Sequence, residues 1–531
     1  MTQFRKAFMA AIVKSLLRGK TLIQAILAFW LSGNKKSRET DGQKKTLQQF
    51  LKDAEAALVG PISGDGLQEL SVKLKEQILE GLKADAQCML PSYSHQLPSG
   101  SECGQYLALD VGGSTLRVAL VELRGRGVGS EKATEIVSMQ NYRITKEVKD
   151  FEGMAFFEWM AARITETIRT TLKREHSAEN PLPVSMAWSF PIDQTSLGGG
   201  RLAAMGKGFL ADTGLVGQDL GDIVKTACSN QNLHVELKAI LNDSSACLLS
   251  RAYSHSSTRF GLILGTGVNI AAYLPVSSIG RTKFGERPAG WFDEASHVIV
   301  NTELGMFGTK ILPLTRWDRQ LLKEHPRPDF QPLEYMTSGM YLGEIARLIL
   351  VEAIQTTGLL GGIVPPSLTG LYSLGTETIS TIEGDTTTDL SQAISFFSEK
   401  HPSTHIPSVV DMSAIKAIAS FVSVRSSALI ASAVYALWDI RLEGDQTCLS
   451  TLPESSPLRT KVEEDIKMEK TTVAFNGSVI EHYPGYLASL QRYIDDLMES
   501  KESSQSKSIE LVSAKESSLT GAAVALACLD S

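Results

Sequence analysis

The sequence predicts an α/β protein built from two related lobes. The chain has 531 residues, of which 43% are hydrophobic and 21% charged, so it has enough apolar residues for more than one core. Two stretches, 106–123 and 259–276, share one design: an apolar strand, a turn containing glycine and a second apolar strand. Two hairpins of one design predict two lobes of related structure.

Composition excludes several classes of protein. The formal net charge of −7 gives no signature of polyanion binding, so we expect no nucleic-acid partner. The six cysteines are scattered without a CxxC pair or metal-ligand spacing, which predicts mostly free buried thiols and no resident metal. This cysteine usage favours a reducing compartment, and we expect a cytoplasmic protein.

The first 38 residues form a region of different character. They contain eight Lys or Arg and no acidic residue, and apolar side chains from Phe4 to Leu16 recur at helical spacing. The pattern predicts a basic amphipathic helix, whose longest uncharged stretch, 21–34, is shorter than the roughly 20 residues of a membrane span. Three interpretations stay open: contact with a membrane surface, above all the mitochondrial outer membrane, an organelle-targeting leader, or a helix packed on the protein body.

The turns of the two hairpins are candidate phosphate-binding loops. Glycine lets the backbone approach a ligand closely, so that successive N–H groups can surround a phosphate. Other nucleotide motifs are absent: 200–208 has the wrong spacing and a glycine after Lys207, which excludes a Walker loop, and no G-x-G-x-x-G opens a helix. The turn residues are Gly112, Gly113, Ser114 and Thr115 in the first hairpin and Gly265, Thr266 and Gly267 in the second.

The stretch 240–250, ILNDSSACLLS, raises a question about Asp243. An Asp after a strand-like run can cap a helix, because its side chain accepts hydrogen bonds from free backbone N–H groups. The same carboxylate could instead be held in a site to accept a proton. Local sequence favours the cap, and only the rest of the chain changes that preference.

Eight blocks follow one another along the chain: LALDVGGSTLRV, SFPIDQTSLGGGRLAAMGKGF, LNDSSACLL, LGTGVNIAAY, NTELGMFG, LEYMTSGMYLGEIARLIL, NGSVIEHYPGY and SSLTGAA. In this order they resemble the eukaryotic hexokinase family, divergent fungal members included, from about residue 45 to the C-terminus. The resemblance implies the actin-like ATPase (ribonuclease H-like) fold, with two α/β lobes that each hold a mixed five-stranded sheet and close over a central cleft. It predicts a small domain over 45–243 and a large domain over 244–531.

The resemblance also implies roles for individual residues. It implies that Asp243 is the general base, in addition to any capping role, and that Lys207 is a second catalytic residue. Asp110 is expected near the Mg²⁺ that ATP carries. The implied sugar-binding residues are Ser189, Lys207, Asn242, Asp243, Asn269, Glu303 and Glu344. The implied nucleotide-binding residues are Asp110, Gly112, Gly113, Ser114, Thr115, Arg117, Gly265, Thr266, Gly267, Ser478 and Ser518.

Five departures from the family pattern leave two functions open. Gly206 stands where the family has a threonine, and Val268 replaces another. Ser114 and Thr115 replace Thr-Asn, residues 244–247 replace Thr-Val-Gly-Thr, and residues 515–520 replace a glycine-rich loop. The first function is an ATP-dependent hexose kinase that phosphorylates the 6-hydroxyl of glucose or a related hexose, the first step of glycolysis. The alternative is a catalytically impaired regulator or sugar sensor. Because Gly206 lacks the hydroxyl, we expect weak glucose binding that Gly206→Thr tightens.

Overall fold

The computed structural model describes residues 46–84, 87–169, 176–500 and 506–529, so the predicted helix within 1–38 lies outside the described residues. Contacts divide the chain into two compact units. Unit 1 holds the described residues up to Ser63 with Pro313–Pro326 and Met340–Ser426. Unit 2 holds the described residues of Gly64–Leu312, Arg327–Gly339 and those from Ser427 onward.

Thirteen strands are present in the described part of the chain. They are β1 Leu90–Pro91, β2 Cys103–Val111, β3 Thr115–Arg124, β4 Thr134–Arg143, β5 Leu182–Trp188, β6 Ile192–Gln194, β7 Gly200–Leu202, β8 Val235–Leu241, β9 Thr258–Leu264, β10 Val268–Pro275, β11 His297–Asn301, β12 Lys470–Asn476 and β13 Ser508–Ser513.

The α-helices of the same residues are numbered in chain order. They are α1 Leu47–Leu58, α2 Asp65–Lys83, α3 Lys146–Lys149, α4 Met154–Ile168, α5 Leu220–Ser229, α6 Asp243–Ser254, α7 Trp291–Glu294, α8 Arg316–Glu324, α9 Pro332–Thr337, α10 Gly339–Thr357, α11 Thr376–Gly384, α12 Ser391–Lys400, α13 Val409–Thr451, α14 Leu458–Lys467, α15 Ser478–His482, α16 Tyr486–Glu499 and α17 Ser517–Ala527.

The first sheet of unit 2 has five strands in the order β4-β3-β2-β5-β8. Strands β4, β3 and β2 run antiparallel, whereas β5 and β8 run parallel to β2, so the sheet is mixed as predicted. The predicted first hairpin is confirmed as β2 and β3, in which Asp110 lies opposite Arg117. The Gly112 N–H donates to the Thr115 carbonyl at 3.0 Å and closes the turn.

The second sheet of unit 2 has the order β1-β11-β10-β9-β12-β13. From β11 to β13 it repeats the first sheet, with an antiparallel hairpin followed by two parallel strands. This repeat confirms the second predicted hairpin, β9 and β10. The two-residue strand β1 pairs with β11 at the edge, so this sheet has one strand more than the five expected.

One apolar cluster joins both sheets to helices α6 and α17. It contains Ala108 of the first sheet, Tyr273 of the second, Leu248 of α6 and Leu519 of α17, all fully or nearly fully buried. Residues of α17 contact β2 and β5, although α17 belongs to the C-terminal half of the chain. The predicted boundary at residue 243 between a small and a large domain stays a prediction.

Unit 1 is helical in its described residues and contains a buried ion pair. Arg425, fully buried, donates to Asp318 at 2.7 and 2.8 Å, and Asp318 also closes a capping box with Thr315.

Helix α13 is long and apolar enough to cross a membrane, but 94% of its apolar window is buried in the protein, as in a core helix.

Candidate active site

Three parallel strands of the first sheet end at one edge and bring the predicted site residues together there. Asp110 in β2 pairs with Ala187 in β5, and Ala187 pairs with Leu241 in β8. The residues that follow these strands therefore emerge side by side. Ligands bind at such carboxyl ends of parallel strands in open α/β sheets.

Asp243 is the first residue of α6, and its neighbour caps the helix. The Asn242 side-chain oxygen accepts the Ser245 N–H at 2.8 Å, which makes Asn242 the N-cap. Asp243 Oδ1 accepts the adjacent Ser244 N–H at 2.8 Å. Asn242 is thus the N-cap, and Asp243 binds a second N–H of the first turn, so the capping interactions expected of Asp243 are shared between the two residues.

The surroundings of Asp243 raise its basicity. Burial raises the pKa of the Asp243 carboxyl, and the negative charge of Asp110 raises it further. The Ser244 N–H and the Lys207 ammonium group act in the opposite direction, and the net pKa is above the usual value for Asp. A carboxylate with a raised pKa is a stronger proton acceptor.

Lys207 lies between the first turn and Asp243. Its Nζ donates to the Ser189 carbonyl at 2.9 Å and lies 4.9 Å from the centre of the Phe190 ring. A Cβ atom at Gly113 would lie 3.1 Å from the Lys207 Cδ, so a larger residue there would require the lysine side chain to shift. Partial burial lowers the pKa of Lys207, whereas the negative charges of Asp243 and Glu334 act to raise it.

The loop that carries Lys207 requires a left-handed backbone. Gly206, Lys207 and Gly208 have φ values of +65°, +54° and +79°. Glycine adopts this conformation readily, whereas a β-branched residue is an outlier in it. The expectation that Gly206→Thr tightens glucose binding therefore loses its structural basis.

A hydrogen-bond chain holds Asn269 and Glu303. The Asn269 amide donates to Asn301 Oδ1 at 2.7 Å, and the Asn301 amide donates to Glu303 Oε1 at 2.8 Å. Asn269 Oδ1 also accepts the Ile270 N–H at 2.8 Å. Burial raises the pKa of Glu303, and the negative charge of nearby Asp243 raises it further. The hydrogen bond from Asn301 lowers this pKa and partly offsets the rise.

Glu334 joins this group, although the sequence reasoning missed it. Its Oε2 accepts the Val268 N–H at 3.0 Å, directly after the second turn. Burial raises the pKa of Glu334, the Val268 hydrogen bond lowers it, and the charges of Glu303 and Lys207 act on it in opposite directions. Glu334 thus interacts with two residues of the predicted site. The signal was available, since Glu334 lies in the same sequence block as Glu344.

The structure does not support the predicted sugar-binding role of Glu344. Glu344 lies in unit 1, only 2% exposed, and its two oxygens accept from Arg347 at 2.7 and 2.5 Å. Its Oε2 also accepts the Tyr372 N–H at 2.7 Å. A carboxylate engaged in this way has little capacity left for a ligand, whereas only Oε2 of Glu334 accepts a hydrogen bond among the described residues, which makes Glu334 the candidate for that role.

The predicted nucleotide residues lie around the two turns. Arg117 donates to Asp110 Oδ2 through Nε at 2.7 Å and through a terminal nitrogen. Gly265 of the second turn lies against Ser478, since an added side chain there would meet the Ser478 nitrogen at 3.4 Å. Thr266 is exposed, and Ser518 lies in the first turn of α17.

A cavity of about 360 Å³ opens beside these residues. It is lined by Arg117, Asn476, Glu481, His482, Lys515, Glu516 and Ser517.

Comparisons with known proteins identify the family. A family model described as hexokinase matches residues 59–253, and a second with the same description matches residues 259–528. The chain belongs to the hexokinase family. It is 31% identical to hexokinase-2, chloroplastic, of Nicotiana tabacum, an alignment that covers 82% of this chain and 81% of the relative. It is 29% identical to the hexokinase of Kluyveromyces lactis, covering 83% and 84%.

A solved hexokinase structure shares the fold. The hexokinase from Schistosoma mansoni complexed with glucose has a TM-score of 0.70 and 24% identity, and the alignment covers 91% of this chain and 100% of that one. The predicted fold and family are confirmed.

The structure also accounts for the departure at Val268. Its side chain is buried, 6% exposed, and its contribution to the site is the backbone N–H that Glu334 accepts. A valine makes this bond as well as a threonine does, so the substitution leaves the Glu334 position intact.

Proposed function

We propose that the protein is an ATP-dependent hexose kinase that transfers the γ-phosphoryl group of MgATP to the 6-hydroxyl of glucose or a related hexose, the first step of glycolysis. The observation that carries the proposal is the half-buried Asp243 carboxylate, which lies at the strand edge close to Lys207 and Glu303 and has a raised pKa. Phosphoryl transfer needs positioning, charge neutralisation and one carboxylate to accept the hydroxyl proton.

The sugar ligands suit a polyol. Carboxylates accept and amides both donate and accept, so Asn242, Asn269, Glu303 and Glu334 can saturate several hydroxyl groups. A hydroxyl left unpaired in such a site costs about 1–3 kcal/mol, which favours a sugar over an alcohol with fewer hydroxyls. Asp243 takes the proton of the attacking hydroxyl.

MgATP is the second substrate. The backbone of the two glycine turns and the positive charges of Lys207 and Arg117 would receive the phosphates, and Ser478 and Ser518 border the same region. Arg117 donates to one oxygen of Asp110 only, which leaves Oδ1 available among the described residues for a water carried by Mg²⁺.

The regulator or sensor alternative gains no support from the site. Asp243, Lys207 and the carboxylates are present together, and Val268 has a buried side chain and a backbone N–H that holds Glu334. The kinase interpretation therefore stands as the proposal.

A coupled assay tests the function. Purified protein with MgATP is supplied in turn with glucose, fructose, mannose and glycerol, and formation of ADP and hexose 6-phosphate is followed. We expect turnover with at least one hexose and none with glycerol. ADP formation that does not depend on any hexose, or no ADP formation although a hexose binds by calorimetry, would contradict the kinase and favour the regulator.

We also propose that residues 1–38 attach a cytoplasmic enzyme to the mitochondrial outer membrane. The support is the sequence alone: eight basic and no acidic residues with apolar side chains at helical spacing. Cells expressing the full chain and a chain starting at Thr40 are fractionated. We expect only the full chain to sediment with mitochondria, accessible to added protease; both chains in the soluble fraction would refute the proposal.

A further inference from the structure

The Arg117 side chain in the proposed nucleotide site is held by two carboxylates. One belongs to Asp110 in the neighbouring strand, and the other belongs to Glu516, whose Oε2 lies 2.6 Å from an Arg117 guanidinium nitrogen. The side chains of Arg117 and Glu516 are 27% and 42% exposed, and both line the 360 Å³ cavity. The guanidinium group that would meet a phosphate is thus already paired with an anion of the chain itself.

The backbone at Glu516 is unusual for a glutamate. Glu516 directly precedes α17 with φ of +50°, in the left-handed region that favours glycine. The hexokinase resemblance implies a glycine-rich loop here, and this chain has Lys515, Glu516, Ser517 and Ser518 instead. A strained position that carries a charged side chain onto Arg117 indicates a role for that contact.

We propose that Glu516 competes with nucleotide phosphate for Arg117 and thereby lowers the affinity for MgATP. The inference rests on the proposed function, because it takes this cavity as the nucleotide site. A guanidinium group binds carboxylate and phosphate with the same forked geometry, so the two anions exclude each other on one face. A phosphate that reaches Arg117 displaces the Glu516 carboxylate and is repelled by it.

Replacing the carboxylate tests the competition. For Glu516→Gln we expect the KM for MgATP to fall about two- to fivefold, the gain from releasing a partly exposed ion pair, with kcat unchanged. Calorimetry with the non-hydrolysable analogue AMP-PNP should show the same gain in affinity. Glu516→Gly removes the same charge and suits the left-handed backbone, so it should bind AMP-PNP at least as tightly even if the glutamine variant folds poorly.

Glu481→Gln is the matched control. Glu481 lines the same cavity, but its Oε1 accepts from Ser513 Oγ at 3.2 Å. Its loss removes one negative charge without freeing Arg117, so the affinity for AMP-PNP should change by less than about 1.5-fold at physiological salt.

Three outcomes would overturn the proposal. A raised KM or lowered kcat in Glu516→Gln would mean that Glu516 positions Arg117 for the nucleotide. An equal gain in AMP-PNP affinity in Glu481→Gln would show that net charge, and not release of Arg117, causes the effect. Equal AMP-PNP affinities of the wild type and both Glu516 variants would show that Glu516 does not compete at all. A wild-type protein that binds no AMP-PNP at all is a separate result, which would refute the proposed nucleotide site itself.

Discussion

At the scale of single residues, two glutamates ten positions apart illustrate how environment separates a ligand from a structural ion pair. Glu334 has one oxygen fixed by the Val268 N–H and interacts with Glu303 and Lys207, so it is oriented but still able to bind. Glu344 has both oxygens on Arg347 and is almost fully buried. In the proposed function, the first glutamate therefore binds the sugar, whereas the second forms a structural ion pair.

The two variants Glu334→Gln and Glu344→Gln test this assignment against each other. Glu334→Gln should weaken glucose binding about ten- to a hundredfold, the loss of a hydrogen bond to a charged group, with little change in melting temperature. Glu344→Gln should cost about 3–5 kcal/mol of unfolding free energy, since it leaves Arg347 buried without its counter-charge. Calorimetric titration and chemical denaturation measure the two quantities, and the reverse pattern would restore Glu344 as the sugar ligand.

Gly206→Thr tests the importance of the left-handed loop. Because Gly206 has φ of +65°, a threonine there should displace the Lys207 loop and weaken glucose binding by about 1–3 kcal/mol, the usual cost of such strain. Gly206→Asn is the comparison, since asparagine tolerates this conformation better and should lose less. Tighter glucose binding by the threonine variant would show that the missing hydroxyl outweighs the backbone.

At the scale of secondary structure elements, the contact between α6 and α17 fixes the base. A side chain at Gly521 of α17 would overlap the backbone carbonyl of Ala246 in α6, so the two helices touch through their backbones. Ala246 lies three residues after Asp243 on the same helix. The position of the base therefore depends on a small residue near the C-terminus.

Gly521→Ala tests this coupling between the helices. Alanine usually stabilises a helix by about 1 kcal/mol over glycine. Here the added methyl group would push the two helices apart, so we expect the variant to lose about 1–3 kcal/mol of unfolding free energy instead. We expect kcat to fall as well, because α6 carries Asp243. Gly127→Ala, with nothing within 4 Å of the added carbon, is the control that should leave both unchanged. A Gly521→Ala variant as stable and active as wild type would contradict the close contact.

At the scale of the whole molecule, the buried charges of unit 1 and those of the site respond to pH in opposite directions. Burial alone would raise the pKa of Asp318, but Arg425 and Thr315 together hold it below its usual value. A lowered pKa contributes stability above the unfolded value of about 3.9, and this contribution is lost as pH falls through the folded value. The site carboxylates have raised pKa values, so the folded state takes up their protons more readily than the unfolded state. Their contribution to the free energy of unfolding therefore increases as the pH falls.

Asp318→Asn should expose this dependence. At neutral pH it should lose about 3–5 kcal/mol of unfolding free energy, because Arg425 remains buried without its partner. Below about pH 4 the wild type should lose stability more steeply than the variant, since only the wild type takes up this proton on unfolding. Urea denaturation across the acid range measures both slopes, and parallel slopes would refute the linkage.

The sequence predicted those features of the fold that depend on the local pattern of residues. Both hairpins follow from alternating strand and turn signals, and the repeat of the sheets follows from the two hairpins. Local pattern could not choose Asn242 over Asp243 as the helix cap, because both side chains cap helices well. It could have paired Glu344 with Arg347, three residues later on the same helix. It could not find the Val268 N–H that holds Glu334, because these two residues are 66 positions apart. The backbone at Gly206 likewise appears only in three dimensions.

The kcat of Asp243→Asn, measured with saturating glucose and MgATP beside the Kd for glucose, tests the central claim most directly. Asparagine keeps the shape and the hydrogen bond to Ser244 but cannot accept the hydroxyl proton. We predict a fall in kcat of about 10²–10⁴-fold with a glucose Kd within a few-fold of wild type. An Asp243→Asn variant that turns over at the wild-type rate would contradict the assignment of Asp243 as the general base.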